Sequence, residues 1–230
     1  MVDFSKFEQQ AGITFKDKNL LRQAFTHRSY LNENRNLKIE HNERLEFLGD
    51  AVLELVITDQ LYHKYPGRPE GELTSFRSAL VNSTTLANAA GKLGVNEYLL
   101  LSHGEAKDTG RARTYILANT YEALLGAIYL DQGYENTRDF IAKTIFPLID
   151  DIVDNGLWMD AKSKFQEMAQ EKLGVTPSYR TVKEAGPDHD KNFTVGVYLN
   201  NELAATGEGA SKQEAEQSAA RKGLLEKKWI

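Results

Sequence analysis

Up to about residue 150, apolar residues recur at intervals of three and four, the period of helices with one buried face. Leu20, Leu21, Ala24 and Phe25 show it first. The longest examples run from Leu45 to Leu55 and from Tyr115 to Leu130. Strand-like alternation is scarce there. Val81-Asn82-Ser83 and Asp131-Gln132-Gly133 punctuate the helices. The pattern predicts an all-α domain over residues 1–153. A short join, 154–159, leads to a second domain at 160–230 with a different rhythm. There, Lys162 to Leu173 reads as a helix that stops at Gly174, with Pro177 just beyond. Tyr179 to Lys183 reads as a strand. Phe193, Val195, Val197 and Leu199 alternate with polar or small residues, as a half-buried strand does. Asn200-Asn201 supplies a hairpin turn, and Glu202 to Thr206 a third strand. Ser211 and Glu214 form a capping box before a helix reaching about Lys227. The order α-β-β-β-α predicts a compact α+β module with two helices on one face of a small antiparallel sheet.

Composition narrows the chemistry. The chain has 230 residues and no Cys, which excludes disulfides, thiolate metal sites and a Cys nucleophile. The N-terminal MVDFSKFEQQ lacks a signal-peptide pattern, and no stretch approaches the roughly 18 apolar residues of a membrane span. A soluble, cytoplasmic protein without membrane association is expected. The net charge of −5 first argues against a nucleic-acid partner. From Asp160 onward, however, 11 basic and 11 acidic residues balance, so the preceding region holds the whole acidic excess. An acidic region can repel phosphates or collect divalent cations, and only charge placement separates the two.

Placement is informative in two helices. In His41-Asn42-Glu43-Arg44-Leu45-Glu46-Phe47-Leu48-Gly49-Asp50-Ala51-Val52-Leu53, the side chains of Glu43, Glu46 and Asp50 fall within an arc of roughly 60°. Leu45, Leu48 and Val52 form an apolar stripe. Gly49 costs the helix about 1 kcal/mol against Ala, which predicts close approach of a neighbour. The second helix, Tyr115 to Ile128, is apolar nearly all round and should be buried, yet it carries Asn119 and Glu122 on one face. A carboxylate in such a helix is expensive unless compensated. A solvated or salt-bridged stripe remains an alternative for the first helix, less so for Glu122. Carboxylates converging at ~4–5 Å repel by about 3–4 kcal/mol per pair at an effective dielectric near 20. A divalent cation removes that penalty, and hard oxygen ligands favour Mg²⁺, with Mn²⁺ as a substitute. Such a centre suits phosphodiester hydrolysis. Spacing does not exclude Glu54, one turn beyond Asp50, as a further ligand.

The run Asn42-Glu43-Arg44-Leu45-Glu46-Phe47-Leu48-Gly49-Asp50 resembles the signature of bacterial ribonuclease III. Ile116-Leu117-Ala118-Asn119-Thr120-Tyr121-Glu122-Ala123-Leu124 is similar to that family's second acidic motif. Pro69-Glu70-Gly71-Glu72-Leu73-Thr74 and Thr26-His27-Arg28-Ser29-Tyr30 are similar to two more of its motifs, in the right order. The resemblance implies an all-α endonuclease domain followed by a small α+β (α-β-β-β-α) double-stranded-RNA-binding domain. It implies a homodimer that cuts double-stranded RNA, leaves 5′-phosphate and 3′-hydroxyl ends, and processes ribosomal RNA precursors and other structured transcripts without an organic cofactor. By family position, Glu46, Asp50 and Glu122 hold Mg²⁺, Asn119 takes the fourth ligand place, and Asp50 and Glu122 are catalytic. Glu43 and Glu70 match supporting acidic positions, and Phe47 an apolar residue at the dimer interface. Glu54 gains no such support and is read as structural.

The family pattern has Asp where this chain has Asn119. Asn keeps a carbonyl ligand oxygen but removes a charge. A tolerated natural substitution, with cleavage retained, is the favoured reading over an engineered change or a non-cleaving RNA-binding relative. In the C-terminal module the resemblance lies in Ser163-Lys164-Phe165-Gln166-Glu167, Pro187-Asp188-His189-Asp190 and Gly207 to Glu216. It implies that Gln166 and His189 reach the minor groove of A-form RNA and that Lys212 meets phosphates at a helix start. Gln213 stands where the family often carries Lys, which implies weaker affinity, and Glu214 beside it opposes phosphate. Gln166 has a local alternative, closing a capping box with Ser163.

Overall fold

The computed structural model describes residues 2–186 and 191–229. The chain divides into two compact units, Met1–Trp158 and Met159–Ile230. Unit 1 contains α1 (Ser5–Ala11), α2 (Lys18–Ala24), α3 (Arg28–Glu33), α4 (Glu43–Lys64), α5 (Glu70–Val81), α6 (Ser83–Lys92), α7 (His103–Lys107), α8 (Arg111–Gln132), α9 (Tyr134–Thr144) and α10 (Ile149–Asp154). Its only strand-like pairing among the described residues is a single bridge, Thr26 to Leu100. Unit 2 contains α11 (Ala161–Leu173), β1 (Ser178–Ala185), β2 (Asn192–Leu199), β3 (Glu202–Gly209) and α12 (Lys212–Glu226). Among the described residues, no helix is long and apolar enough to cross a membrane.

Two long helices, α4 and α8, form the spine of unit 1. Leu45, Val52, Leu53, Val56 and Ile57 of α4 pack with Tyr121, Leu124, Leu125 and Ile128 of α8 in one core. The contact is closer than ordinary side chains permit. A Cβ built at Gly49 would overlap the Glu122 carbonyl oxygen, and one at Gly126 would overlap that of Leu45. Backbone therefore lies against backbone where the acidic residues face each other. This is the close approach that a glycine inside α4 predicts.

The ends of both helices are anchored by buried or networked polar groups. The chain enters α4 through Asn42, which is 3% exposed. Its amide nitrogen donates to the Thr26 carbonyl at 2.9 Å, and its Nδ2 donates to that of Ala24 at 3.2 Å. Arg113, in the first turn of α8, donates to the carbonyls of Asp108 and Glu105 and to Asn96 Oδ1. At the other end, Asp131 accepts the backbone N–H groups of Lys16 and Asp17 at 2.9 and 2.8 Å. Residues 154–159, read from the sequence as a join, are mostly part of unit 1. Trp158 packs edge-on against Phe76 of α5, with ring centroids 4.9 Å apart.

In unit 2 the sheet is antiparallel in the order β1-β2-β3. Asn200 and Asn201 both have positive φ, 48° and 69°, the geometry of a tight two-residue hairpin. All three strands are longer than periodicity alone predicts. The pairing Ala185–Asn192 extends β1, and Phe193–Gly209 extends β3, so β2 carries both neighbours to its end. The first helix is capped differently from the local alternative for Gln166. Asp160 is the N-cap, its Oδ1 accepting the Ser163 N–H at 3.1 Å, and Gln217 secures the same carboxylate at 2.8 Å. Gln166 thus lies mid-helix and exposed. At α12, Ser211 Oγ accepts the Glu214 N–H, but the Glu214 carboxylate turns to the N–H of Ala210 rather than of Ser211.

The glycine contact yields a stability prediction. Gly49→Ala gains about 1 kcal/mol of helix propensity. Forcing a methyl group into the α4–α8 backbone contact outweighs that gain, with a net loss of about 1–3 kcal/mol as in other overpacked cores. A urea midpoint equal to or above that of the parent chain would refute the close-contact account.

Candidate active site

Across the glycine contact, α4 presents Glu46 and Asp50, and α8 presents Asn119 and Glu122. Asp50 is exposed, while the other three are partly buried. Their electrostatics show that they act on one another. Burial, then the charges of Asp50 and Glu46, pushes the Glu122 carboxyl up to about 8. Burial and the neighbouring Glu43 raise Glu46, with Asp50 adding to the effect, while a hydrogen bond from Asn119 pulls it back. Glu46, Asp50 and Glu122 are therefore near enough to act on one another, and Asn119 acts on Glu46. Glu122 sits in a stretch of α8 whose residues Ala118, Ala123 and Leu125 are buried, and loss of solvation is the largest cause of its shift.

The arrangement is open rather than collapsed. Among the described residues, no three acidic or His side chains sit together as a ready-made metal site. The donor set nevertheless fits a hard divalent ion: three carboxylates plus the Asn119 carbonyl oxygen, all on rigid helices. Asn119 also acts on Glu46. Its amide N–H satisfies Glu46, where an Asp would add a further repulsion.

The remaining acidic candidates separate. Glu43 is exposed at the start of α4, 3.8 Å from both Arg28 and His41, and close enough to act on Glu46. Glu70 begins α5 and accepts a hydrogen bond from Thr74 Oγ1 at 2.8 Å. It lines a different hollow with Tyr62, Arg68 and Arg77, and is not among the charges that shift Glu46 or Glu122. Glu54, left open by spacing, pairs with Arg77 Nε at 2.9 Å and is structural.

Phe47 projects from α4 with 80% of its surface exposed. Leu55 and Tyr62 on the same helix are also exposed, at 58% and 67%. With Ala51 they form a second apolar stripe that no part of this chain covers among the described residues. Its signal was present in the spacing 47, 51, 55, but the core-packed stripe of Leu45, Leu48 and Val52 masked it.

In unit 2, Gln166 and Gln213 are exposed. His189 lies outside the described residues. Lys212 is on the surface, but its Nζ pairs with Glu184 Oε1 at 2.9 Å. Nothing in the sequence pattern links positions 184 and 212. The sheet register brings them together.

A pH prediction follows from Glu122. Its carboxyl is raised from an ordinary 4.5 to about 8, so between those values the folded state binds more protons than the unfolded chain. The stabilising contribution is fully present below about 4.5 and is lost as pH rises through about 8. Metal-free protein should lose stability over that window, and Glu122→Gln should flatten the loss. Chemical denaturation in a chelator at pH 5, 7 and 8.5 measures it. Parallel curves for the two proteins would show that Glu122 does not titrate as described.

Comparison with known proteins agrees with both units. The Ribonuclease-III-like family matches residues 17–149, and the double-stranded RNA binding motif matches residues 161–227. The chain is 48% identical to Ribonuclease 3 of Enterococcus faecalis over 223 residues, covering 96% of this chain and 95% of that one. It is 45% identical to Ribonuclease 3 of Pelotomaculum thermopropionicum over 218 residues, covering 95% and 90%. Among solved structures, the nuclease domain of ribonuclease III from Campylobacter jejuni aligns with a TM-score of 0.56 and 40% identity, covering 65% of this chain and 97% of that one. With a helical unit whose two acidic helices meet backbone to backbone, an α-β-β-β-α unit following it in the sequence, and relatives matched over nearly the full length, the chain belongs to the ribonuclease III family.

Proposed function

We propose that the protein is a divalent-cation-dependent endoribonuclease that hydrolyses double-stranded RNA. The observation that carries this reading is the mutual influence of Glu46, Asp50 and Glu122 across the α4–α8 contact, with Asn119 beside them. Mg²⁺, or Mn²⁺ in its place, would supply an activated water and neutralise charge developing on the phosphate. Glu46, Asp50, Glu122 and the Asn119 carbonyl would hold it. The chain's own contribution is placement. The glycine contact fixes the two helices, burial keeps Glu122 poorly solvated and so receptive to a cation, and exposed Asp50 faces the approaching backbone. Cleavage at the P–O3′ bond leaves 5′-phosphate and 3′-hydroxyl ends. Precursors of ribosomal RNA and other structured transcripts in the cytoplasm are the proposed substrates.

Unit 2 is the proposed duplex reader. The A-form minor groove is wide and shallow, and it is recognised through shape, 2′-hydroxyls and phosphates. Gln166 is exposed for groove contact, and the start of α12 offers backbone N–H groups near Lys212. The exposed stripe of Phe47, Ala51, Leu55 and Tyr62 supports a homodimer built on α4, which would give two cleavage centres. The Campylobacter jejuni structure is described as flexible in a region involved in dimer formation of its nuclease domain.

The non-cleaving alternative rests on Asn119 alone. Incubating a long RNA duplex with Mg²⁺ separates the two. The parent chain should cut, and Glu122→Gln should cut more than about 100-fold more slowly, beyond the loss typical of a supporting group. Asn119→Asp should lower the Mg²⁺ concentration needed for half-maximal cleavage. Duplex binding without cutting at any Mg²⁺ or Mn²⁺ concentration would establish a binding-only protein. For the dimer, Phe47→Asp should convert the main species in sedimentation velocity to monomer. An unchanged dimer would place the interface elsewhere.

A further inference from the structure

The first two turns of α12 read Lys212-Gln213-Glu214-Ala215-Glu216, so Lys212 is their only cation. The structure shows where that cation is held. In the sheet, Glu184 of β1 pairs in register with Phe193 of β2, and Phe193 with Gly209 of β3. Gly209 lies just before the Ser211 cap of α12, so this row of residues ends where the helix begins. The Lys212 ammonium lies 5.6 Å from the centre of the Phe193 ring and 2.9 Å from Glu184 Oε1. Both charged side chains are open to solvent, 56% exposed for Lys212 and 41% for Glu184. The two acidic neighbours of Lys212 on α12 are engaged elsewhere. The Glu214 carboxylate takes the Ala210 N–H, and that of Glu216 takes Lys162 Nζ at 2.6 Å.

We propose that Glu184 is an intramolecular stand-in for an RNA phosphate: it occupies the Lys212 ammonium and sets how tightly, and at what salt concentration, unit 2 takes up a duplex. The inference rests on the reading that the start of α12 meets phosphates. A carboxylate and a phosphate oxygen accept the same charge-assisted hydrogen bond, so one displaces the other. An exposed pair is weak, so the exchange remains readily reversible. The outcome is a moderated grip in which groove shape contributes more, and point charge less, than Lys212 alone would give. The Lys212 hydrogen bond, with smaller contributions from the charges of Lys212 and Lys191, holds the Glu184 carboxyl below its ordinary value, so it is ionised and competitive.

The test uses the full chain with a fluorescein-labelled RNA duplex in Ca²⁺, read by anisotropy over a salt series. Glu184→Gln keeps the shape of an exposed side chain and removes its charge, and circular dichroism verifies the fold. Relative to the parent chain, Kd should fall about two- to fivefold, the range open to an exposed ion pair. The slope of log K against log salt should steepen by about one, for one newly available phosphate contact. Glu184→Gln made in a Lys212→Gln background should show no gain. If Lys212→Gln leaves Kd unchanged even when Glu184 is Gln, the phosphate reading of α12 fails and the proposal fails with it. If Lys212 matters in that background but Glu184→Gln alone gives no gain, the proposal is overturned while the RNA reading stands. An equal gain with and without Lys212 also overturns it, because general repulsion then explains the effect.

Discussion

The backbone contact between α4 and α8 is the constraint from which the rest of unit 1 follows. Gly49 faces the Glu122 carbonyl and Gly126 faces that of Leu45, so each helix presses its main chain against the other. Helices separated by ordinary side chains lie 8–10 Å apart at their axes. Removing two Cβ atoms narrows that gap at the level of Glu46, Asp50, Asn119 and Glu122. The same contact that packs the core thus brings the carboxylates of the two helices within electrostatic reach of one another. Asn42 and Arg113, through their carbonyl partners, tie the start of each helix to the chain that precedes it.

That proximity explains the raised Glu122 carboxyl and why Asn119 suits the site. Glu122 is desolvated and faces two carboxylates, so near neutrality it favours its protonated form. Asn119 donates to Glu46 and removes one source of repulsion. An Asp there would strengthen attraction for a cation and increase strain in its absence. Asn119 thus lowers the negative charge of the site while keeping a carbonyl oxygen there.

Much of this was legible along the chain, for identifiable reasons. Helical period marks α4 and α8 because each has a continuous apolar face, and Gly49 stands out because a glycine there needs a reason. Asn200-Asn201 marks the hairpin because few residue pairs accept positive φ in succession. Features set by tertiary register were not legible. The Asp160 cap and its bond to Gln217, the separation of Glu70 from the acidic cluster, and the Lys212–Glu184 pair all join residues that only the folded chain makes neighbours. Phe47 was found through family resemblance. The wider stripe through Leu55 and Tyr62 was hidden by a second, buried periodicity on the same helix.

The two units manage charge in opposite ways, and this resolves the acidic net charge of an RNA-directed chain. Unit 1 leaves part of its negative charge uncompensated where α4 meets α8, which suits a cation and only through it a phosphate. Unit 2 is neutral, and several of its cations are already paired: Lys162 with Glu216, Lys164 with Glu167, Lys212 with Glu184. Such a surface exerts little long-range attraction on a polyanion, so recognition falls to shape and short-range hydrogen bonds. For a nuclease acting on folded RNA among many other polyanions, that balance favours the A-form duplex over any chain that merely carries phosphate. The net charge of −5 is therefore a poor guide to the partner, because each unit sets its electrostatics at the scale of a few side chains.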